Sequence, residues 1–455
     1  MKTLFKGGTI VTMNRRREIL DNASLLVDGD RITEVFQGQA TDHKPDRIID
    51  CREKIIIPGL ISAHTHLTGL FQRGLWDEPS FESWSRKSAA TEKLLEFTPG
   101  DMRLIHSAAC IELIRHGVTT VLNMFTAPSR NTQDFIKAAC QAFVETGIRG
   151  ILALALKDQA PDNSAAIQDR QSAEAWTERA REACRNVTTF GTRVGFALAP
   201  SAPQRCSDRL LIACRDLAEE LDVGIHTHLA ETKNHAQAGR ELYGKPMVHH
   251  LASLGFLSPR LSVAHAIWID DEEIDLLKRY DVGVVHNPAS NMKMGSGVAR
   301  VKKMLGRNLA VGLGADSVNA ATTYSIFEQM KLAVLLPRTH WEAEDWVTPS
   351  DAFAMGTAGS AAALRLDAMA GSIEEGKEAD LTILNPSIAL TPGNALVDEL
   401  ALCENGNSVE SVFVGGNAVL LEGKIAGVDE SAIRASLSAM EPKIARAKKL
   451  VVQSC

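Results

Sequence analysis

Two histidines separated by a single residue, His64 and His66, end an apolar run near the N-terminus. Side chains two apart on a β-strand point to the same side, so both imidazoles would project together. Imidazole nitrogens are good ligands for zinc, iron and copper. The pair therefore indicates a transition-metal site, although a His-x-His sequence also arises by chance.

The sequence HTHLAE supplies a second pair, His226 and His228, followed by Glu231. His228 lies nearer the end of the predicted strand and is the predicted metal ligand. His226 lies one layer deeper, where it would support a ligand or pack in the core. Glu231 could move protons between an activated water and a substrate, which is the work of a general acid–base carboxylate. A catalytic metal site needs such a group and a structural one does not.

Two further polar residues, His265 and Asp316, each follow an apolar run. His265 could polarise the group under attack or stabilise a developing anion. Asp316 could bind the metal and accept a proton from water. Either residue alone could be structural, but four polar clusters at four predicted strand ends together predict a catalytic metal site.

Eight apolar runs, alternating with amphipathic helical stretches, are the elements that must position these residues. This alternation is typical of βα units, and eight of them predict an α/β fold with a (β/α)8 barrel, whose catalytic groups lie at the C-terminal ends of the strands. The clusters fall at the ends of the first, fifth, sixth and eighth runs. The predicted strands are Ile55–Leu67, Thr119–Phe125, Arg149–Leu156, Val194–Pro200, Val223–Leu229, Leu261–Ala266, Val282–His286 and Ala310–Gly314.

The two ends of the chain have a different sequence pattern, which predicts short strands with alternating polar and apolar residues, separated by Gly-containing turns. Residues 1–56 and 368–427 are predicted to combine into a small β-sandwich domain beside a barrel of residues 57–367. Residues 428–455 are predicted to form a C-terminal helix.

The composition is that of an ordinary globular protein, with 45% hydrophobic residues in a chain of 455. A net charge of −7 argues against nucleic acid or an anionic membrane surface as a partner, and favours a small molecule. The eight cysteines are scattered, which is typical of reduced thiols in a cytoplasmic protein.

The motifs resemble those of the metal-dependent amidohydrolases, in the branch of methylthioadenosine/S-adenosylhomocysteine deaminases and triazine chlorohydrolases. The resemblance implies one divalent metal, usually zinc with iron also possible, and a homo-oligomer, either a dimer or a tetramer. It makes Glu231 a proton shuttle and places His265 against the substrate or the attacking hydroxide. The fourth predicted strand has no lysine that could be carbamylated, which supports a single metal. The implied ligands are His64, His66, His228 and Asp316, and the motifs are PGLISAHTHL, HTHLAE, VAHA, VVHNPASNMKMGSGVA, VGLGADS and GSIEEGKEADLTIL.

The reaction that the resemblance implies is hydrolytic deamination of an aminated N-heterocycle of purine, pterin or triazine type. A metal-activated water attacks a ring carbon, Asp316 takes its proton, Glu231 protonates the adjacent ring nitrogen, and ammonia leaves. Alternatives are dechlorination or N-dealkylation of a triazine-like ring, hydrolysis of a cyclic amide, and an inactive binding protein on the same fold. Retention of every ligand position argues against the last.

The long connection at residues 67–100 could form a lid over an aromatic ring, or its aromatic residues could pack the loop itself or a dimer interface. Ser201 and Leu154 stand where adenosylhomocysteine deaminases have a histidine and an arginine, which argues against that substrate. His106, His116, His249, His250 and His340 are predicted surface residues. The predicted substrate-binding residues are Trp76, Trp84, Glu92, Ser201 and Asn291.

Overall fold

A computed structural model describes residues 1–38, 44–78, 80–128, 131–159, 172–391 and 393–454. The described strands form two separate sheets, one of eight strands and one of nine. In chain order the strands are β1 (Lys2–Val11), β2 (Ile19–Asp28), β3 (Arg31–Gln37), β4 (Arg47–Asp50), β5 (Ile55–Pro58), β6 (Leu60–Thr65), β7 (Val118–Phe125), β8 (Arg149–Leu156), β9 (Val194–Pro200), β10 (Gly224–Leu229), β11 (Leu261–His265), β12 (Gly283–His286), β13 (Val311–Leu313), β14 (Leu381–Leu384), β15 (Val409–Val414), β16 (Asn417–Leu421) and β17 (Lys424–Ile425).

Strands β6 to β13 lie side by side in chain order, each parallel to the next, and form the predicted eight-stranded barrel. The first and last strands meet through the Asp316 amide, which donates to the His64 carbonyl at 3.0 Å, and through a parallel bridge between Thr65 and Asp316. The barrel therefore closes at the residues that were expected to bind metal. The predicted fold class is confirmed.

The first predicted strand is split in the structure at Pro58-Gly59, between β5 and β6. Strand β5 pairs with β1 and β14 in the other sheet, and β6 opens the barrel. Gly59 allows the close approach that this switch requires, because a Cβ there would lie 2.2 Å from Thr119 Oγ1.

Most of the helices cover the outside of the barrel between consecutive strands. Helix α1 occupies much of the long connection that the sequence analysis placed at residues 67–100. The helices are α1 (Phe81–Leu95), α2 (Pro99–Arg115), α3 (Thr132–Thr146), α4 (Ala173–Thr188), α5 (Asp208–Leu221), α6 (Lys233–Tyr243), α7 (Met247–Ser253), α8 (Asp271–Arg279), α9 (Pro288–Lys293), α10 (Val301–Gly306), α11 (Ile326–Leu335), α12 (Pro349–Met355), α13 (Ala358–Ala363), α14 (Leu396–Leu402), α15 (Glu430–Ser438) and α16 (Glu441–Ser454).

The second sheet contains strands from both ends of the chain, β1–β5 and β14–β17, as the sequence predicted. Phe5 on β1 and Phe413 on β15 are three strands apart in this sheet, which is about 14 Å at the usual spacing. Their ring centroids nevertheless lie 4.9 Å apart, so the sheet folds over on itself around a small core of its own.

A buried ion-pair cluster joins this sheet to the barrel. Arg149, at the start of β8, pairs with Glu378 and lies 3.2 Å from Asp380. The side chains of all three residues are largely buried, and Asp380 also accepts a hydrogen bond from the Gly415 amide at 2.7 Å.

The C-terminal segment forms two helices, α15 and α16, where one was predicted. The break precedes Pro442, the second residue of α16, which cannot continue the preceding helix because its ring would clash with the carbonyl four residues earlier. Within the described ranges, no helix combines the length and the apolar character needed to cross a bilayer.

Candidate metal centre

The ends of four barrel strands bring the predicted ligands to one point. His64 lies near the end of β6 and His66 just after it, His228 lies near the end of β10, and Asp316 follows β13. His265, the last residue of β11, lies beside them. The donor atoms fall into two overlapping groups that could each hold a metal ion, one of His64, His66 and Asp316 and one of His64, His228 and His265.

Two backbone carbonyls fix the orientation of His66 and His228. His66 Nδ1 lies 2.9 Å from the Met124 carbonyl oxygen, and His228 Nδ1 lies 2.5 Å from that of Ser201. A carbonyl oxygen only accepts, so each Nδ1 carries the proton and each Nε2 presents a lone pair. The two Nε2 atoms are 3.2 Å apart, an unfavourable contact of lone pairs that a cation bound by both would relieve.

The remaining distances also fit one metal ion. His64 Nε2 is buried without a partner in the described chain, and it lies 3.6 Å from Asp316 Oδ1. The same oxygen is 3.7 Å from His66 Nε2. Ligand atoms placed tetrahedrally about 2.1 Å from a zinc ion are roughly 3.4 Å apart, close to these separations. The donor set therefore fits a mononuclear site.

Burial sets the charge state of the predicted ligands. It lowers the pKa of His64 to about 4 and holds that of His228 well below the ordinary value, so these imidazoles are neutral, the form that binds metal. Burial alone would raise the pKa of Asp316, but the neighbouring His64 and the other imidazoles hold it well below its usual range. Asp316 is therefore ionised, and the site carries one negative charge for a cation.

His226 supports the site from one layer deeper in the barrel. Its Nε2 lies 2.8 Å from His64 Nδ1, and its Nδ1 lies 2.7 Å from Ser262 Oγ. His226 is completely buried and does not itself belong to either group of donor atoms. Of the two roles left open by the sequence, its hydrogen bond to His64 favours the supporting one.

Glu231 lies just beyond β10 and is 4% exposed. Burial raises its pKa to about 6, well above that of an ordinary glutamate. Its Oε1 is 3.9 Å from His265 Nε2, which is in turn 3.8 Å from Asp316 Oδ2. A carboxyl group with this pKa can gain and lose a proton near neutral pH, as a proton shuttle must.

The backbone is strained at the strand ends that carry these groups. Ala230, His265 and Asp316 have φ values of 44°, 73° and 53°, in the left-handed region that non-glycine residues rarely adopt. Such conformations cluster at functional sites because the surrounding structure must hold them.

A cavity of about 210 Å³ opens over the site and exposes Glu231, His228, His265 and Asp316 to a ligand. Of the predicted substrate-binding residues, Trp84, Glu92 and Ser201 line it.

The other two predicted substrate-binding residues, Trp76 and Asn291, do not line the cavity. Trp76 is buried behind α1, where its Nε1 donates to Thr91 Oγ1 at 3.2 Å. Asn291 lies behind His265, with its Oδ1 2.9 Å from His265 Nδ1.

Several cavity residues were not predicted from the sequence. Gln72, Lys157, Arg205, His235 and Asn319 all line the cavity. Each lies on a loop or near an element end, outside the motifs that the sequence analysis used. Asn319, three residues after Asp316, and His235, four residues after Glu231, had a positional signal that could have been used.

The expectation that His106 and His250 are surface residues was wrong. His106 is fully buried on α2, with Nε2 3.1 Å from Asn123 Nδ2, and Asn123 Oδ1 accepts from the Leu67 amide beside His66. His250 is 5% exposed and stacks on Tyr243. Both helices are packed on more than one side, which a single amphipathic pattern does not reveal.

Comparison with known proteins places the chain in a family. Residues 55–419 match the model of the amidohydrolase family. Two similar proteins, the 5-methylthioadenosine/S-adenosylhomocysteine deaminases of Bacillus cereus and Bacillus thuringiensis, are 30% and 31% identical over 437 residues, 95% of this chain and 97% of each relative.

Solved structures agree with this placement. An atrazine chlorohydrolase from Arthrobacter aurescens TC1, complexed with zinc, has a TM-score of 0.89 and 25% identity, covering 96% of this chain and 99% of that one. A guanine deaminase from C. acetobutylicum, 22% identical over 92% of this chain and all of its own, shares the fold with a TM-score of 0.82. The family model covers most of the chain and the relatives align almost from end to end, so the protein belongs to the amidohydrolase family of hydrolases.

Proposed function

We propose that the protein is a metal-dependent hydrolytic deaminase of an aminated N-heterocycle of purine, pterin or triazine type. The observation that carries the proposal is Glu231, a buried carboxyl group with its pKa raised to about 6, facing a cavity that also contains the ligand cluster. The deaminases that align with this chain over nearly its full length support the choice of reaction.

The metal site consists of His64, His66, His228 and Asp316 in this proposal. Three neutral imidazoles and one carboxylate suit a single divalent ion, most often zinc, and Fe²⁺ can also bind such a set. When bound, the ion supplies a Lewis acid that lowers the pKa of a water molecule to about 7. The zinc in the similar chlorohydrolase structure supports the same choice.

The two oxygens of Asp316 face different neighbours, which allows them separate tasks. Oδ1 faces His64 and His66, at 3.6 and 3.7 Å, and is the oxygen placed to bind an ion. Oδ2 faces His265 Nε2 at 3.8 Å and can hold the proton released by the attacking water. His265, kept in place by Asn291, can hydrogen-bond the water or the substrate.

Glu231 delivers a proton to the ring nitrogen next to the carbon under attack. Water adds to that carbon and gives one proton to Asp316, while the ring nitrogen gains the proton of Glu231. Asp316 passes its proton to the amino group, which leaves as ammonia, and the remaining hydroxyl proton returns to Glu231. The net change consumes one water and replaces the amino group by oxygen. Zinc deaminases of other folds also use a glutamate that does not bind the metal.

The proposed substrate contacts follow from the cavity wall. Trp84 would cover the ring, while Glu92 and Ser201 would contact polar substituents. Trp76 and Asn291 would act indirectly, by supporting α1 and His265 respectively. The dimer or tetramer predicted from the family resemblance stays a prediction, which light scattering on the purified protein tests.

A second candidate reaction keeps the site and changes the leaving group to chloride or an alkylamine. The observation that favours it is the similarity to the atrazine chlorohydrolase, with a TM-score of 0.89. The product released distinguishes the two reactions.

The test is a screen of purines, pterins, pyrimidines and triazines with the metal-loaded protein, in which ammonia, chloride and alkylamine are measured separately. We expect ammonia. Glu231→Gln should keep the metal and lose turnover, whereas His228→Ala should lose the metal. The matched control is Glu273→Gln, a buried glutamate of α8 outside the cavity, which should keep turnover. Full activity of Glu231→Gln, or release of chloride or amine alone, would contradict the proposal.

A further inference from the structure

Two buried amide side chains in the cavity wall have no part in the proposed reaction. Gln72 is 2% exposed and Asn319 is 4% exposed, and both line the cavity. They come from different parts of the chain, Gln72 from the turn after β6 and Asn319 from the loop after β13.

One residue of α1, Ser88, holds both amides. Gln72 Nε2 donates to the Ser88 carbonyl oxygen at 3.2 Å, and Asn319 Nδ2 donates to Ser88 Oγ at 3.3 Å. Because a carbonyl oxygen only accepts, the Gln72 amide must turn its NH2 group towards Ser88 and its oxygen away from it.

The oxygens of both amides lack a donor. In the part of the chain that the structure describes, neither Gln72 Oε1 nor Asn319 Oδ1 has a hydrogen-bond partner. Leaving a buried acceptor unpaired costs about 1–3 kcal/mol, so such groups call for an explanation. In Gln329, a buried glutamine of α11 outside the cavity, the oxygen accepts a hydrogen bond from the Ala289 amide.

Gly69 allows the two segments to approach each other. A Cβ at this position would lie 1.7 Å from Ser317 Oγ and 2.9 Å from Asn319 Oδ1. Any side chain there would push the Asn319 segment away from the turn that carries Gln72. The glycine at position 69 therefore allows Gln72 and Asn319 to lie in the same part of the cavity wall.

We infer that Gln72 and Asn319 form an acceptor subsite for a second N–H group of the substrate. The inference rests on the proposed function and narrows its substrate class. The ring carries at least two N–H groups, namely the amino group that leaves and a further exocyclic amine or ring N–H that pairs with the two oxygens. A ring with only the leaving amino group would leave both acceptors unpaired, and a site built for hydrogen bonds rejects such an analogue.

The test compares rings that differ in one amino group and have no ring N–H, namely 2,6-diamino-9-methylpurine with 9-methyladenine and 2,4-diamino-1,3,5-triazine with 2-amino-1,3,5-triazine. Dissociation constants are measured by calorimetry on the metal-loaded Glu231→Gln protein, and ammonia release is measured on the otherwise unchanged protein. In at least one pair, the diamino ring should bind about tenfold more tightly, as expected for one or two hydrogen bonds gained. Gln72→Met, which keeps the length of the side chain and removes the acceptor, should reduce that preference about fivefold.

The matched control is Gln329→Met, which makes the same change at a buried glutamine outside the cavity and should keep the preference. Thermal unfolding of each variant shows whether it is folded. Equal binding of both members of each pair, an unchanged preference in Gln72→Met, or no binding of any of the four rings would overturn the inference. If no ammonia is released but the preference depends on Gln72, the proposed reaction fails and the subsite stands.

Discussion

Replacing His226 by phenylalanine would remove a hydrogen bond from behind a predicted metal ligand while leaving every ligand in place. Ser262 Oγ lies 3.3 Å from the Ile225 carbonyl oxygen and donates to it, so it accepts from His226 Nδ1. His226 Nε2 is then an acceptor, and it receives the proton of His64 Nδ1 at 2.8 Å. This series of hydrogen bonds fixes the His64 tautomer that leaves Nε2 free to bind a metal.

The lost hydrogen bond should destabilise the metal-bound protein more than the metal-free protein. Without metal, His64 can move its proton to Nε2, beside Asp316 Oδ1 at 3.6 Å, and avoid an unpaired donor. With metal on Nε2, the proton must stay on Nδ1 and face the phenylalanine ring, at a cost of about 1–3 kcal/mol. We therefore expect metal affinity to fall about 10- to 100-fold, the usual effect of losing such a partner.

The assay is competition for zinc between the protein and a chromogenic chelator. His250→Phe is the matched control, because His250 is also buried but pairs with Asp208 outside the metal site, and its metal affinity should not change. Ser262→Ala is a milder second variant, with an expected loss of a few-fold. If folded His226→Phe protein binds zinc as tightly as the unaltered protein, the reasoning about the tautomer is refuted.

Three further predictions concern stability. Burial raises the pKa of Glu231 from 4.5 to about 6. Below pH 4.5 the carboxyl group is protonated in both the folded and the unfolded state, and it does not lower the free energy of unfolding. As the pH rises through about 6, the buried group ionises and the free energy of unfolding falls. Metal-free Glu231→Gln should therefore be about 2 kcal/mol more stable than the unaltered protein at pH 8, with the difference shrinking towards pH 5 in urea unfolding; a constant difference would contradict this. Arg149→Met should cost about 3–5 kcal/mol because it removes the buried guanidinium that pairs with the carboxylates of Glu378 and Asp380. Arg181→Met, at a more exposed ion pair, should cost less than about 1 kcal/mol, and equal losses of the two variants in chemical denaturation would refute this. Gly69→Ala should lower the melting temperature and reduce the free energy of unfolding by about 1–3 kcal/mol, because its Cβ would lie 1.7 Å from Ser317 Oγ. An unchanged melting temperature would contradict this, because it would mean that the Ser317 segment moves aside without loss of stability.

The barrel and the ligand cluster could be predicted from the sequence because both depend on local pattern. His64, His228, His265 and Asp316 each follow a short apolar run, and parallel strands of a barrel end at the same face. The apolar runs matched the observed barrel strands closely, apart from the switch at Pro58-Gly59.

The supporting residues could not be predicted, because they depend on contacts between distant segments. Gln72 and Asn319 both contact Ser88 of α1, which lies within a stretch that appeared to be a long loop. His106 was expected at the surface because it lies on a helical stretch, yet it contacts Asn123 inside the protein. Sequence spacing locates the groups that end a strand, and it does not show which side chains lie behind them.

Metal dependence of ammonia release tests the central claim most directly. The metal-loaded protein should release one ammonia for each heterocycle converted, lose this activity when the metal is removed by a chelator, and regain it when zinc is restored. Glu231→Gln, with its metal still bound, should be slower by a factor of about 10²–10⁴. Activity that survives complete removal of the metal, or no ammonia from any ring in the screen, would contradict the account.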